Sequence, residues 1–367
     1  MDLRYPPSAE AFRAELRAWL DANLPEGLTE RSDLESRREW NRRLADAGYA
    51  ALSWPVEYGG RGADLMDQLV FNEEMDRAGA PGPVNVIGMP NIAPAIMQWG
   101  TKEQQARFLP RMLRGDDIWC QGMSEPNAGS DLASLRCRAV RDGDVFVVNG
   151  QKTWNTLGDV AGWCQLYVRT DVDAPKHKGI SCLLVDMTLP GIEVRPLVTI
   201  TGETGFSELF FTDARVPADA LLGPLNEGWK VATTTLSHER AGVAKLHLSL
   251  RREVRQLIEA ARTKGRLDDP VLRQRLARVY LDAELLKLLA DRAISGQLHG
   301  RPTGPESSLV KLVWSDVSNR VAEAWTEVTG EVDVRRLSVR QVSIAGGTTQ
   351  VNKNIVAQRV LGMPRGL

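Results

Sequence analysis

The chain has 367 residues, with 46 Lys+Arg against 47 Asp+Glu and a formal net charge of -1. Its hydrophobic fraction of 43% and charged fraction of 25% are ordinary globular values and exclude a disordered or collagen-like chain. Balanced charge argues against a nucleic-acid binder, which needs surplus Lys and Arg to neutralise phosphates, and the length suggests roughly two or three domains.

The first third reads as helical. Phe12, Leu16, Trp19 and Leu20 fall at helical spacing, with Ser8 as the expected N-cap. Trp40, Leu44 and Ala47 repeat the pattern up to Gly48. A loop rich in Pro and Gly follows at 52–62, then helical stretches over 64–77 and 102–113. The character changes near Ile118. Short β-rich runs at 145–150, 163–169, 180–187, 191–195 and 208–213 are separated by Gly, Pro and Asp, which predicts a β-barrel or sandwich. Helical pattern returns after Gly228. Leu272, Leu276, Val279, Tyr280 and Ala283 form one apolar stripe, and Val313, Val317, Val321, Ala324 and Val328 another, as in an antiparallel bundle. The expected class is α+β: an N-terminal helical domain over 1–117, a central β domain over 118–226 and a C-terminal four-helix bundle over 227–367.

The four cysteines, at 120, 137, 164 and 182, form no CxxC pair, so they read as free buried thiols and no metal site is expected. No basic segment followed by an apolar run opens the sequence, and no apolar stretch reaches about 18 residues. A cytoplasmic protein with no membrane contact is the expectation.

Three segments have the composition of sites. The run Met123-Ser124-Glu125-Pro126-Asn127-Ala128-Gly129-Ser130-Asp131 is a polar loop with free amides and hydroxyls, suited to a planar or anionic ligand, though a plain turn has the same look. In Asn149-Gly150-Gln151-Lys152-Thr153-Trp154-Asn155-Thr156, Trp154 offers a ring and Thr156 a hydroxyl. By itself Trp154 reads as a residue sealing the core. Gly346-Gly347-Thr348-Thr349-Gln350 reads as a Gly-rich loop meeting a helix N-terminus. It matches neither GxGxxG nor GxxxxGK[ST].

Together, and in this order, these segments resemble the acyl-CoA dehydrogenase family. Ser124 to Asp131 is close to its T/S-E-P-x-A-G-S-D signature, Asn149 to Trp154 to its N-G-x-K-x-W element, and Gly347 to Gln350 to its G-T-x-Q. The motifs look most like those of bacterial members acting on bulky lipid or steroid-derived thioesters. The resemblance implies FAD as cofactor, an acyl-CoA as substrate and a trans-2-enoyl-CoA as product. It implies electron transfer flavoprotein as acceptor and either a homo-oligomer or a mixed oligomer with a paralogous subunit. By position it assigns Met123, Ser124, Ser130, Trp154, Thr156, Thr348 and Gln350 to the flavin. Ser130, Arg240 and Gly242 go to the substrate. Many members carry a catalytic Glu directly before G-T-x-Q, where this chain has Gly346. Another lineage carries it on a helix just before an Arg, and Glu239-Arg240 matches that pattern, which makes Glu239 the expected base. The backbone N–H of Gly346 would polarise the thioester carbonyl. The family's Arg-x-x-Phe-Gly turn for the FAD diphosphate is missing. The nearest stretch is Arg262-Thr263-Lys264-Gly265-Arg266. Two alternatives stay open: a flavin oxidase or monooxygenase of this fold, and a non-catalytic or half-site subunit of a mixed assembly.

Overall fold

A computed structural model describes residues 5–241, 246–299, 304–332 and 334–364. The chain divides into two compact units, Met1–His238 and Glu239–Leu367.

The first unit begins with α1 (Pro7–Asn23), α2 (Leu34–Asp46), α3 (Leu65–Ala78), α4 (Ala93–Trp99) and α5 (Lys102–Arg114). Helix α1 starts one residue before the expected Ser8 cap. Pro6 occupies the cap and Pro7 the first turn, where a missing N–H costs nothing. Asp33 and Asp64 cap α2 and α3, and a reciprocal Thr101–Gln104 capping box opens α5.

Eight strands follow: β1 (Trp119–Gly122), β2 (Arg138–Asp142), β3 (Val145–Thr156), β4 (Trp163–Arg169), β5 (Ile180–Asp186), β6 (Ile192–Leu197), β7 (Phe206–Pro217) and β8 (Leu221–Leu222). They join in one sheet in the order β6-β7-β3-β2-β4-β5-β8, with β1 parallel to β4. The period of a strand sorts its residues between two cores. On one face Trp119, Tyr167, Ile180, Cys182 and Leu184 join the apolar residues of the N-terminal helices. On the other Cys120, Leu166, Val168, Leu183 and Val185 pack with Phe146, Leu209 and Val216. All four cysteines are buried and free. Helix α6 (Gly228–Ala241) adds Val231 and Ala232 to the first of these cores. The helices and the sheet of the first unit therefore share one core, although the sequence divides them near residue 117.

The second unit holds α7 (Leu246–Thr263), α8 (Pro270–Leu298), α9 (Glu306–Thr329), α10 (Val334–Ser338) and α11 (Thr349–Arg359). Leu250, Val254 and Leu257 of α7 meet Leu272, Leu276 and Val279 of α8 and Val310, Val317 and Val321 of α9 in a core of their own. The two stripes read from the sequence are the inner faces of α8 and α9, except for Tyr280: it follows Val279 by about 100° around the helix and is 45% exposed.

Candidate active site

In the first unit the expected flavin residues stand on one framework. Strand β3 runs past its expected end at Gly150 and continues to Thr156, with register shifts against β7 at Val148/Gly150 and Lys152/Asn155. The second irregularity turns Trp154 outward. Its φ is 61°, in the left-handed region that a bulky residue avoids, and its side chain is 61% exposed. Trp154 therefore does not seal the core. Its ring meets Phe206 edge-on, with centroids 5.8 Å apart.

Beneath it, Lys152 is completely buried. Its Nζ donates to Glu125 Oε1 at 2.8 Å and to the Met123 carbonyl at 3.0 Å. The same carboxylate accepts the backbone N–H groups of Arg136 at 2.7 Å and Cys137 at 2.8 Å. A buried charge survives only when paired and hydrogen-bonded in this way. The Thr153 N–H donates to the Ser124 carbonyl at 2.9 Å, and Asn155 Nδ2 donates to the Gln121 carbonyl. The loop bearing Met123 and Ser124 is thus fastened to the strand bearing Trp154 and Thr156. Met123, Ser124 and Thr156 are half-buried, whereas Ser130 lies further along the loop and is exposed. Lys176 pairs with the adjacent Asp131 at 2.9 Å.

Nearby loops are held by an unusual cation. Arg169 is buried, and its guanidinium donates to the carbonyls of Ala133 at 2.6 Å, Lys178 at 2.8 Å, Lys176 at 3.1 Å and Leu135 at 3.3 Å. Burial lowers its pKa from the usual arginine value.

In the second unit Gly346 and Gly347 have φ of 66° and 91°, the conformation that favours glycine. Thr348 Oγ1 accepts the Val351 N–H at 3.1 Å and caps α11. Asn352 braces the turn from inside, donating to the Gly347 carbonyl at 2.8 Å. The glycine loop and helix start read from the sequence are present, with Thr348 engaged as the cap and Gln350 exposed in the first turn. Arg262 pairs with Glu259, and Arg266 Nη1 donates to the Glu327 carbonyl at 3.0 Å.

Glu239 and Arg240 lie in the last turn of α6, and Gly242 falls outside the described residues. The sequence reading passed over the residues that hold α6 in place within the first unit. Trp99 Nε1 donates to Thr234 Oγ1 at 3.0 Å, and Gln165 Nε2 donates to Thr235 Oγ1 at 3.3 Å. Tyr167 OH lies 3.2 Å from the same Thr235 oxygen. Burial raises the Tyr167 phenol well above its ordinary value, so it keeps its proton. The signal was available as three consecutive threonines, 233 to 235, in a helix whose propensity they lower.

Three domain models match the chain in order: the acyl-CoA dehydrogenase N-terminal domain over 6–116, the middle domain over 120–214 and the C-terminal domain over 226–361. The acyl-CoA dehydrogenase IpdE1 of Mycobacterium tuberculosis is 40% identical, over 97% of this chain and 98% of its own length. Among solved structures, the Tcur3481-Tcur3483 steroid ACAD is 33% identical with a TM-score of 0.87, covering 100% of both chains. The ChsE4-ChsE5 complex of M. tuberculosis is 36% identical with a TM-score of 0.84, again covering 100% of both chains.

Proposed function

Because the chain belongs to the acyl-CoA dehydrogenase family, we propose that it oxidises a bulky, steroid- or lipid-derived acyl-CoA across its α,β bond to the trans-2-enoyl-CoA, with Glu239 as base. The reaction class follows from membership, and the acyl class from likeness to a steroid ACAD along the whole chain. The observation that carries the reading is coverage: all three family domains match, in order, between residues 6 and 361.

The residues present suit a flavin. An isoalloxazine needs a flat apolar surface beside hydrogen-bonding groups, and Trp154 offers an exposed ring on a braced strand next to Thr156 and Ser124. Thr348 and Gln350 stand at the start of α11, whose backbone N–H groups favour a phosphate. FAD, when bound, supplies the two-electron acceptor. By the family's pattern Glu239 takes the α-proton of the thioester, and Ser130, Arg240 and Gly242 are the residues assigned to the substrate. The Gly346 N–H polarises the thioester carbonyl. A glutamate at 346 would meet the left-handed penalty of about 1–2 kcal/mol at its φ of 66°, which fits a base supplied from α6 instead. Electron transfer flavoprotein is the proposed electron acceptor and the cytoplasm the proposed location.

A second reading is a half-site subunit that needs a paralogous partner. It draws on the likeness to ChsE4-ChsE5, which is a complex of two different chains. Purified alone, the protein should be yellow and its flavin should bleach with steroid-side-chain CoA thioesters in a panel of acyl-CoAs. Glu239→Gln should bleach at least about 1000-fold more slowly, and a variant bleaching at the wild-type rate removes Glu239 from the mechanism. A colourless homogeneous protein that becomes yellow and active only with a second polypeptide selects the half-site reading.

A further inference from the structure

Helix α6 carries three consecutive β-branched residues, Thr233, Thr234 and Thr235, in its middle. Each loses side-chain freedom against the preceding turn, so the run weakens the isolated helix. Two of the three hydroxyls make contacts with other elements that offset this cost. Thr234 takes the indole N–H of Trp99 from α4. Thr235 takes the Gln165 amide at 3.3 Å and shares a hydrogen bond with Tyr167 at 3.2 Å, both from β4. Thr235, Gln165 and Tyr167 are completely buried. Successive helix residues are about 100° apart, so anchors at 234 and 235 grip α6 from two directions and fix its rotation.

The Thr235 contact does not end at β4. Gln165 Oε1 accepts from Gln121 Nε2 at 3.4 Å, and the Gln121 carbonyl accepts from Asn155 Nδ2. Asn155 sits between Trp154 and Thr156. One polar chain therefore runs from strand β3 through β1 and β4 to α6. Residue 239 follows Thr235 by four positions, about 6 Å further along the same helix face.

We propose that Thr235 is a positioning residue for the dehydrogenation. Its hydroxyl, held by Gln165 and Tyr167, sets the rotation of α6 about its own axis, and with it the direction of the last turn, which carries residue 239. The inference rests on the reading of Glu239 as base. A buried hydroxyl removed from such a chain leaves the Gln165 amide and the Tyr167 phenol without their partner, so the neighbours rearrange rather than wait.

Thr235→Val removes the hydroxyl at nearly constant volume, and Thr235→Ser keeps it. Thr235→Val is expected to lower kcat at least about tenfold with KM within about threefold, and to move the limb of the kcat–pH profile that reports the base. In protein stripped of flavin, amide hydrogen exchange over residues 236–241 should speed up at least about fivefold. Thr235→Ser should stay near wild type in all three measurements. Glu239→Gln is assayed in parallel. If Glu239→Gln is inactive while Thr235→Val keeps the wild-type kcat and pH profile, the positioning role is wrong and the base assignment stands. Equal impairment in Thr235→Ser and Thr235→Val also overturns it, since packing and not the hydroxyl would then matter. Wild-type rates in Glu239→Gln remove the base, and the positioning role with it.

Discussion

Trp154 departs from two rules at once: it is a large apolar side chain left in solvent, and its backbone is left-handed. Backbone strain of this kind persists where the surroundings over-determine it, and here the buried Lys152–Glu125 pair and Asn155 do so from either side. Removing a core tryptophan costs about 3–5 kcal/mol. Trp154→Gly should instead leave stability within about 1 kcal/mol of wild type in urea unfolding, because little packing is lost and the strain is relieved. Its Kd for FAD should rise about tenfold, as measured by flavin fluorescence on reconstitution. A large loss of stability without loss of flavin would return Trp154 to the core. The motif containing Trp154 was legible in the sequence, but its exposure was not. Alternation along β3 predicts neither the register shift at Lys152/Asn155 nor that a lysine would be the buried residue two positions earlier.

At the scale of elements, α1 and α3 show how charge holds two helices together. Glu74 is 2% exposed and receives Arg77 at 2.6 Å, Arg17 at 2.8 Å and Arg13 at 3.1 Å. Burial alone would raise its carboxyl. The hydrogen bonds from Arg17, Arg77 and Arg13 outweigh burial and lower it from the ordinary 4.5 to about 2. A carboxyl depressed in the folded state stabilises the fold above its unfolded value, and that contribution is lost as pH falls through the folded one. Glu74→Gln is expected to cost about 3 kcal/mol near neutral pH, because the guanidinium groups of Arg13, Arg17 and Arg77 lose their common anion. The gap between wild type and variant should close as pH falls from 4.5 toward about 2, read by denaturant unfolding at a series of pH values. A gap that stays constant with pH would mean that shape, not charge, joins these helices. Elements of this kind were readable where period and caps agreed, as in α5 with its Thr101–Gln104 box. The polar chain to α6 was not readable, because Gln165 and Thr235 are 70 residues apart and neither stands in a motif.

For the whole molecule, composition and periodicity gave the order helices, strands, helices. They do not reveal that the first helices share an apolar core with one face of the sheet, in which Phe108 and Trp119 meet edge to face at 5.2 Å. Contacts between distant segments decide such groupings, and a local pattern does not carry them. The net charge of -1 also takes on meaning at this scale. A CoA thioester gains no long-range attraction from the chain as a whole, so its phosphates depend on basic groups close to where they bind.

The buried cysteines make the sheet report on its own integrity. Cys120, Cys137 and Cys164 lie on one face and Cys182 on the other. Burial pushes the Cys137 thiol up to about 12 and the thiols of Cys164 and Cys182 upward as well, so the reactive thiolate is suppressed along with access to it. A chromogenic disulfide reagent should therefore titrate almost none of the four thiols in the folded protein and all of them in denaturant. Its slow native-state reaction becomes a clock for opening of the sheet, one that runs without flavin or substrate. Fast labelling of one thiol under native conditions would show that its face opens separately from the rest.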